Sequence, residues 1–205
     1  MLSAMDTSAL SHSYTISLPA WVDDELADVP AALATREDRM ALVHRLAARN
    51  FREGNGGPFA AIVVDSDSGQ VVSVGVNVVL STGISSGHAE VTALGLAQAR
   101  TGSWDLGADG ARRELVVNWR PCAQCYGATL WSGVRTLVVA GSGPELEEIS
   151  GFDEGPVRDD WAEQLEARGI AVRVGVLRDE AVAVFERYGA NPAKTVYNAR
   201  GTGGE

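Results

Sequence analysis

The chain has 205 residues, 45% of them hydrophobic, enough for one domain with a sizeable core, and no Pro- or Ser-rich linker divides it. Acidic residues outnumber basic ones 27 to 17, a net charge of -10, and the only lysine is Lys194, so no basic run offers a surface to nucleic acid. No apolar run nears the ~18 residues of a membrane span, and the start MLSAMDTSALSHSYTISLPAW lacks the basic and continuous apolar parts of a signal peptide, so cytoplasm is the expected location.

Residues 1–34 form an N-terminal extension, of which the first twenty are polar and weakly patterned and read as an arm on the surface. A single domain is expected over 35–200, with a frayed tail over 201–205. Thr35 to Phe51 places Met40, Val43, Leu46 and Ala47 at helical spacing, with Thr35 and Asp38 as a capping pair. The break EGNGGPF ends that helix. Phe59–Asp65 reads as a buried strand, SDSG as a turn and Gln70–Asn77 as the returning strand of a hairpin.

A second helix is expected from about His88 to Arg100, then a strand over Arg113–Trp119 and a short helix from Pro121 that Gly133 ends. RTLVVAG is the fourth strand. A helix reaching about Arg168 leads to the fifth, IAVRVGVL, and RDEAVAVFERYG is the last helix. A hairpin followed by strand–helix alternation predicts an α/β fold with a mixed, mostly parallel sheet between helical layers. More than 25 residues and a helix join strands four and five, so strand five should run parallel to strand four.

The chemistry-bearing residues lie at two strand-to-helix junctions. His88 opens one helix with Glu90 two residues on, and Cys122 and Cys125, the only cysteines, open the next. His12 and His44 read as ordinary surface or core residues. The carboxyl edge of an α/β sheet is where such folds bind ligands, and helix N-termini favour thiolate over thiol. Two thiolates and an imidazole suit zinc, and three protein ligands leave a fourth position for water, whose pKa zinc lowers to ~7. Glu90 sits beside a ligand and can take the proton of that water and pass it to a substrate.

His88-Ala89-Glu90 followed by Pro121-Cys122-Ala123-Gln124-Cys125 matches the H-x-E…P-C-x-x-C pattern of zinc deaminases. Together with GNGGPFAAIVV, the GVN ending strand two, HAEVTAL and CYGATLWSG, it resembles the cytidine-deaminase-like superfamily over most of residues 54–197. That resemblance implies a three-layer α/β/α sandwich with a five-stranded mixed sheet, one zinc per subunit held by His88, Cys122 and Cys125, and Glu90 as catalytic acid and base. Within the superfamily, the parallel fifth strand, the segment Gly151–Glu154 and the aromatic tail ending in Tyr197 resemble the bacterial guanine deaminases.

The closer resemblance implies hydrolysis of guanine to xanthine and ammonia. Glu154, with Asp153 as rival, would accept the ring N–H and 2-amino donors of guanine, since a carboxylate suits two adjacent donors. Asn77 would hydrogen-bond the other polar edge of the ring, the Ala89 N–H would contact a carbonyl, and Phe59 and Trp131 would wall the pocket. Tyr197 would close the site of a partner subunit in a homodimer with a swapped C-terminal segment. Trp119 and Arg120 depart from the family, which usually has a small residue and a glutamate before Pro-Cys. That departure leaves cytosine, a nucleoside, a pterin, an azapurine or a triazine as alternative substrates, all small aminated heterocycles.

Overall fold

The computed structural model describes residues 7–108 and 110–198; the expected tail over 201–205 and the first six residues of the extension lie outside them. Eight α-helices are found among the described residues: α1 Trp21–Leu26, α2 Arg36–Arg52, α3 Val79–Thr82, α4 Ala89–Thr101, α5 Ala123–Trp131, α6 Glu145–Ser150, α7 Trp161–Glu166 and α8 Arg178–Gly189. Five strands, β1 Ala60–Asp65, β2 Val71–Val76, β3 Arg113–Val117, β4 Thr136–Val139 and β5 Ala171–Val174, form one sheet in the order β2-β1-β3-β4-β5.

The hairpin forms as expected, and β5 runs parallel to β4. The sheet is less parallel than the alternation suggested. β1 pairs antiparallel with β2 and with β3, and only the β3–β4 and β4–β5 pairings are parallel. Strand periodicity sorts the side chains. Ile62, Val64, Val116 and Val138 face α2 and α8, whereas Ala61, Val63, Leu115, Val117, Leu137 and Val139 face α4 and α7. The result is three layers with apolar packing on both sides of the sheet.

Two local devices fix the helices that matter for the site. Thr35 and Asp38 close a capping box at the start of α2. Gly75 in β2 lets α4 lie against the sheet, because a Cβ there would stand 2.2 Å from the Ala89 carbonyl oxygen. Beyond its first twenty residues the extension packs on the domain. Val22 of α1 is fully buried, Glu25 pairs with Arg45 at 2.8 Å and Arg49 at 3.0 Å on α2, and Arg49 lies over the Trp21 ring. The sequence pattern missed α1 because six residues are too few to show a helical period. No helix among the described residues is long and apolar enough to cross a membrane.

Candidate active site

His88 and Cys122 are the N-caps of α4 and α5, one residue earlier in each helix than a first-turn placement, and both have extended backbones. Neither side chain caps its own helix, so both are free to turn towards each other. Cys125, inside the first turn of α5, is fully buried. The donor atoms of the three residues lie within 4.8 Å of one another, with His88 Nδ1 at 3.4 Å from Cys122 Sγ and 3.5 Å from Cys125 Sγ. A tetrahedral zinc with ordinary Zn–N and Zn–S bonds separates such donors by about 3.5 Å. The donor set therefore fits zinc in both chemistry and spacing.

Electrostatics favour a charged cluster. The hydrogen bond from Cys125 lowers the Cys122 thiol to about 4, helped by His88 and opposed by burial. Cys125 is pushed well above the usual thiol range, first by its bond to Cys122 and then by burial. Burial works against a charged His88, but the bond to Cys122 and its negative charge outweigh it and raise the imidazole. Glu90, two residues from His88 and 7% exposed, is raised by burial first and by Cys122 second, with His88 opposing. A raised value is the direction needed by a carboxyl that must both take and give a proton.

These groups form one wall of a cavity of about 310 Å³. The opposite wall comes from distant parts of the chain. Phe152 packs edge-on against Phe59 at 5.2 Å and Tyr197 at 4.9 Å, and stacks on Tyr188 at 5.6 Å. Glu154 lines the cavity, is 7% exposed, and is raised well above the carboxylate range by burial and by the charges of Cys122 and Glu90, against the pull of Arg120. The Glu154 carbonyl accepts the N–H of Ala123 at 2.9 Å, which seats the acid directly over the start of α5.

The third side is backbone held by buried amides. Asn50 donates to the carbonyls of Gly57 at 2.9 Å and Asn77 at 2.8 Å. Asn118 donates to the Pro58 carbonyl at 2.9 Å and accepts from the Ala60 N–H, so Phe59 is fixed on both sides. Asn77 is itself buried; its Oδ1 accepts from the Val79 N–H at 3.2 Å, and its side chain also hydrogen-bonds the Tyr197 hydroxyl at the cavity. Gly57 donates its N–H to the Tyr197 hydroxyl at 3.0 Å.

Most of the expected residues meet at this cavity: His88, Glu90, Cys122, Asn77, Phe59, Glu154 and Tyr197 line it, with Cys125 and Ala89 directly behind. Asp153 reaches only the rim, exposed, with its carboxylate accepting the Gly155 N–H at 2.8 Å. Trp131 is a correction. It is 77% exposed and lines a separate groove between α4 and α5 with Val91, Leu94 and Ala128. Six residues beyond Cys125, a helix leaves it about 120° round from the ligand face. Tyr197 reaches the cavity of its own chain, so the expected closure from a partner is not needed to place it there.

Phe152 and Asn198 were not anticipated as lining residues, nor Asn50 and Asn118 as supports. The Asn198 side chain accepts from the Asp153 N–H at 3.1 Å and donates to the Gly151 carbonyl at 2.8 Å, tying the tail to the acidic loop. The signal in the sequence was thin: Phe152 stood inside the Gly151–Glu154 segment, but an asparagine in a helix reads as solvent-facing.

Comparison with known proteins agrees with this geometry. The family model described as the cytidine and deoxycytidylate deaminase zinc-binding region matches residues 34–141. The guanine deaminase of Bacillus subtilis (strain 168) is 32% identical over 109 residues, which are 53% of this chain and 65% of that relative's own length. A solved structure of a guanine deaminase from Nitrosomonas europaea superposes with a TM-score of 0.82 at 43% identity, covering 89% of this chain and 99% of that one. A structure of NE0047 in complex with 2,6-diaminopurine superposes with a TM-score of 0.81 at 45% identity, covering 91% of this chain and 97% of that one.

Proposed function

The chain belongs to the cytidine and deoxycytidylate deaminase family, and from that premise we propose that it hydrolyses the 2-amino group of guanine or a close purine analogue, releasing ammonia. The observation that carries this reading is the pairing of a His-Cys-Cys cluster and Glu90 on one wall with Glu154 on the other, across a cavity of about 310 Å³. That volume suits a single heterocycle.

His88, Cys122 and Cys125 hold zinc, which when bound supplies the Lewis acidity that makes water nucleophilic at neutral pH. Glu90 accepts a proton from the attacking water and delivers it to N3 of the ring. It then carries the second proton to the departing amine, so water adds at C2 and ammonia leaves. Its buried position, which keeps the carboxyl above the usual range, suits a group that must be base and acid in turn. Glu154 accepts from N1–H and from the 2-amino group, Asn77 donates to the far edge of the ring, and the Ala89 N–H at the start of α4 meets a ring acceptor. Phe59 and Phe152 enclose the ring faces, and Tyr197 closes the mouth.

A homodimer is part of the same reading, supported by the apolar α4–α5 groove with its exposed Trp131; light scattering of the purified protein tests it. Two free thiols serving as metal ligands suit a reducing compartment such as the cytoplasm. The deciding experiment is ammonia release from zinc-loaded protein across guanine, 8-azaguanine, adenine, cytosine and their nucleosides. Release from guanine or azaguanine supports the reading, and release from cytosine alone overturns it.

A further inference from the structure

Arg120 leaves the end of β3 just before Pro121 and Cys122 and lines the same cavity. Its main chain is fixed, because its N–H donates to the Gly141 carbonyl at 2.8 Å. Its side chain is only partly satisfied. The buried Nε has no hydrogen-bond partner, and none of the ion pairs among the described residues engages the guanidinium. The residue as a whole is half-buried, so the orphaned atom is Nε; a donor shut off from water without an acceptor is costly in the empty protein. An arginine held that way awaits an acceptor from the ligand.

The position of that acceptor follows from Glu154. The edge of guanine presents, in order, the O6 acceptor, the N1–H donor and the 2-amino donor. A carboxylate takes the two donors. The next group along, O6, then needs a donor beside the carboxylate. Arg120 is the only arginine or lysine among the described residues lining the cavity, and its charge is felt at Glu154. Acid and arginine together form the complement of that three-group edge.

We propose that Arg120 is a specificity-determining residue that donates to the carbonyl oxygen next to the ring N–H held by Glu154, so that the pocket selects 2-amino-6-oxo heterocycles over their 2,6-diamino counterparts. The inference rests on the purine-deaminase reading and deepens it. With a 6-amino group in place of O6, two donors face each other at Arg120, and N1, which then carries no hydrogen, also takes one donor from Glu154; the part of the discrimination that depends on Arg120 is what its variants should remove.

The test measures kcat/KM for guanine and for 2,6-diaminopurine in the zinc-loaded protein and in Arg120→Met, Arg120→Gln and Arg120→Lys. Loss of a charged hydrogen bond should lower the guanine value about 10- to 100-fold in Arg120→Met while diaminopurine is spared. Arg120→Lys, which keeps a charge and donors, should restore part of the preference. Parallel losses on both substrates, or no change on either, overturn the role of Arg120 alone. A wild-type protein silent on both overturns the substrate reading and this inference with it. Zinc content and melting temperature identify a variant that has failed to fold, and Arg120→Gln then supplies the same ratio.

Discussion

The two walls of the cavity are built in opposite ways. The metal-binding wall is local: His88 and Glu90 lie two residues apart, Cys122 and Cys125 three, and both pairs sit at the starts of helices that leave the same edge of the sheet. The facing wall is assembled from Phe152, Glu154, Tyr197 and Asn198, which meet only because α8 returns the chain and Tyr188 stacks against Phe152. In the proposed reaction the first wall would carry chemistry that depends on bond-length geometry, and short spacings at helix starts hold it with little help. The second would carry selectivity, and its geometry depends on packing between distant segments.

If that division is right, damage to the first wall should abolish turnover and damage to the second should grade it. The largest effect is expected for Glu90→Gln. It removes the proton carrier but no ligand, so turnover should fall at least ~10³-fold while zinc content and the circular dichroism spectrum stay as in the parent. Near-normal ammonia release from that variant would remove Glu90 from the mechanism. Stripping zinc with a chelator should silence the enzyme as completely, and restoring zinc should recover it.

A smaller effect is expected for Glu154→Gln. The amide oxygen can still accept one of the two donors, so kcat/KM on guanine should fall about 10- to 100-fold with zinc retained. A loss as deep as that of Glu90→Gln would merge the two walls into one catalytic unit. Gentler still is Tyr197→Phe, which removes only the hydroxyl that accepts from the Gly57 N–H. Its expected cost is ~0.5–1.5 kcal/mol, about twofold to twelvefold in kcat/KM, read from steady-state rates of ammonia release.

The same contrast explains what could be read in the chain. His88, Glu90, Cys122 and Cys125 stood out because metal ligation restricts residue type and spacing together, and the strand-to-helix order placed both pairs at one edge. The capping box of Thr35 and Asp38 was legible for the same reason: it is a contact across three residues. Trp131 was misread because a tryptophan on a short helix gives the same pattern whether it faces a cavity or solvent, and its exposure is decided by what packs on α5. Asn50 left no trace, since its value lies in two carbonyls brought to it by the loop at Gly57 and the end of β2. The antiparallel pairing of β1 with β3 is likewise a property of the assembled sheet.

The mildest prediction probes the support of the second wall. His44 on α2 is buried and donates from Nε2 to the Leu177 carbonyl at 3.0 Å, at the residue that starts α8 and, with a φ of 50°, turns the chain into it. Burial depresses this imidazole below its ordinary value, with Arg187 adding to that and the Leu177 bond and Glu180 opposing. The folded protein therefore holds His44 neutral at a pH where the unfolded chain, with an ordinary value near ~6.5, already binds the proton. Stability from this group is full above about pH 6.5 and is lost as pH falls from there towards the lower folded value, with a slope of at most ~1.4 kcal/mol per pH unit. Melting temperatures between pH 5 and 7 should show that decline in the parent. His44→Gln, which retains a donor for Leu177, should show a shallower one. Because α8 carries Tyr188 under Phe152, acid should weaken substrate binding before it disturbs zinc retention. An identical pH slope in the two proteins would take His44 out of the account and leave the acid sensitivity to carboxyl groups elsewhere.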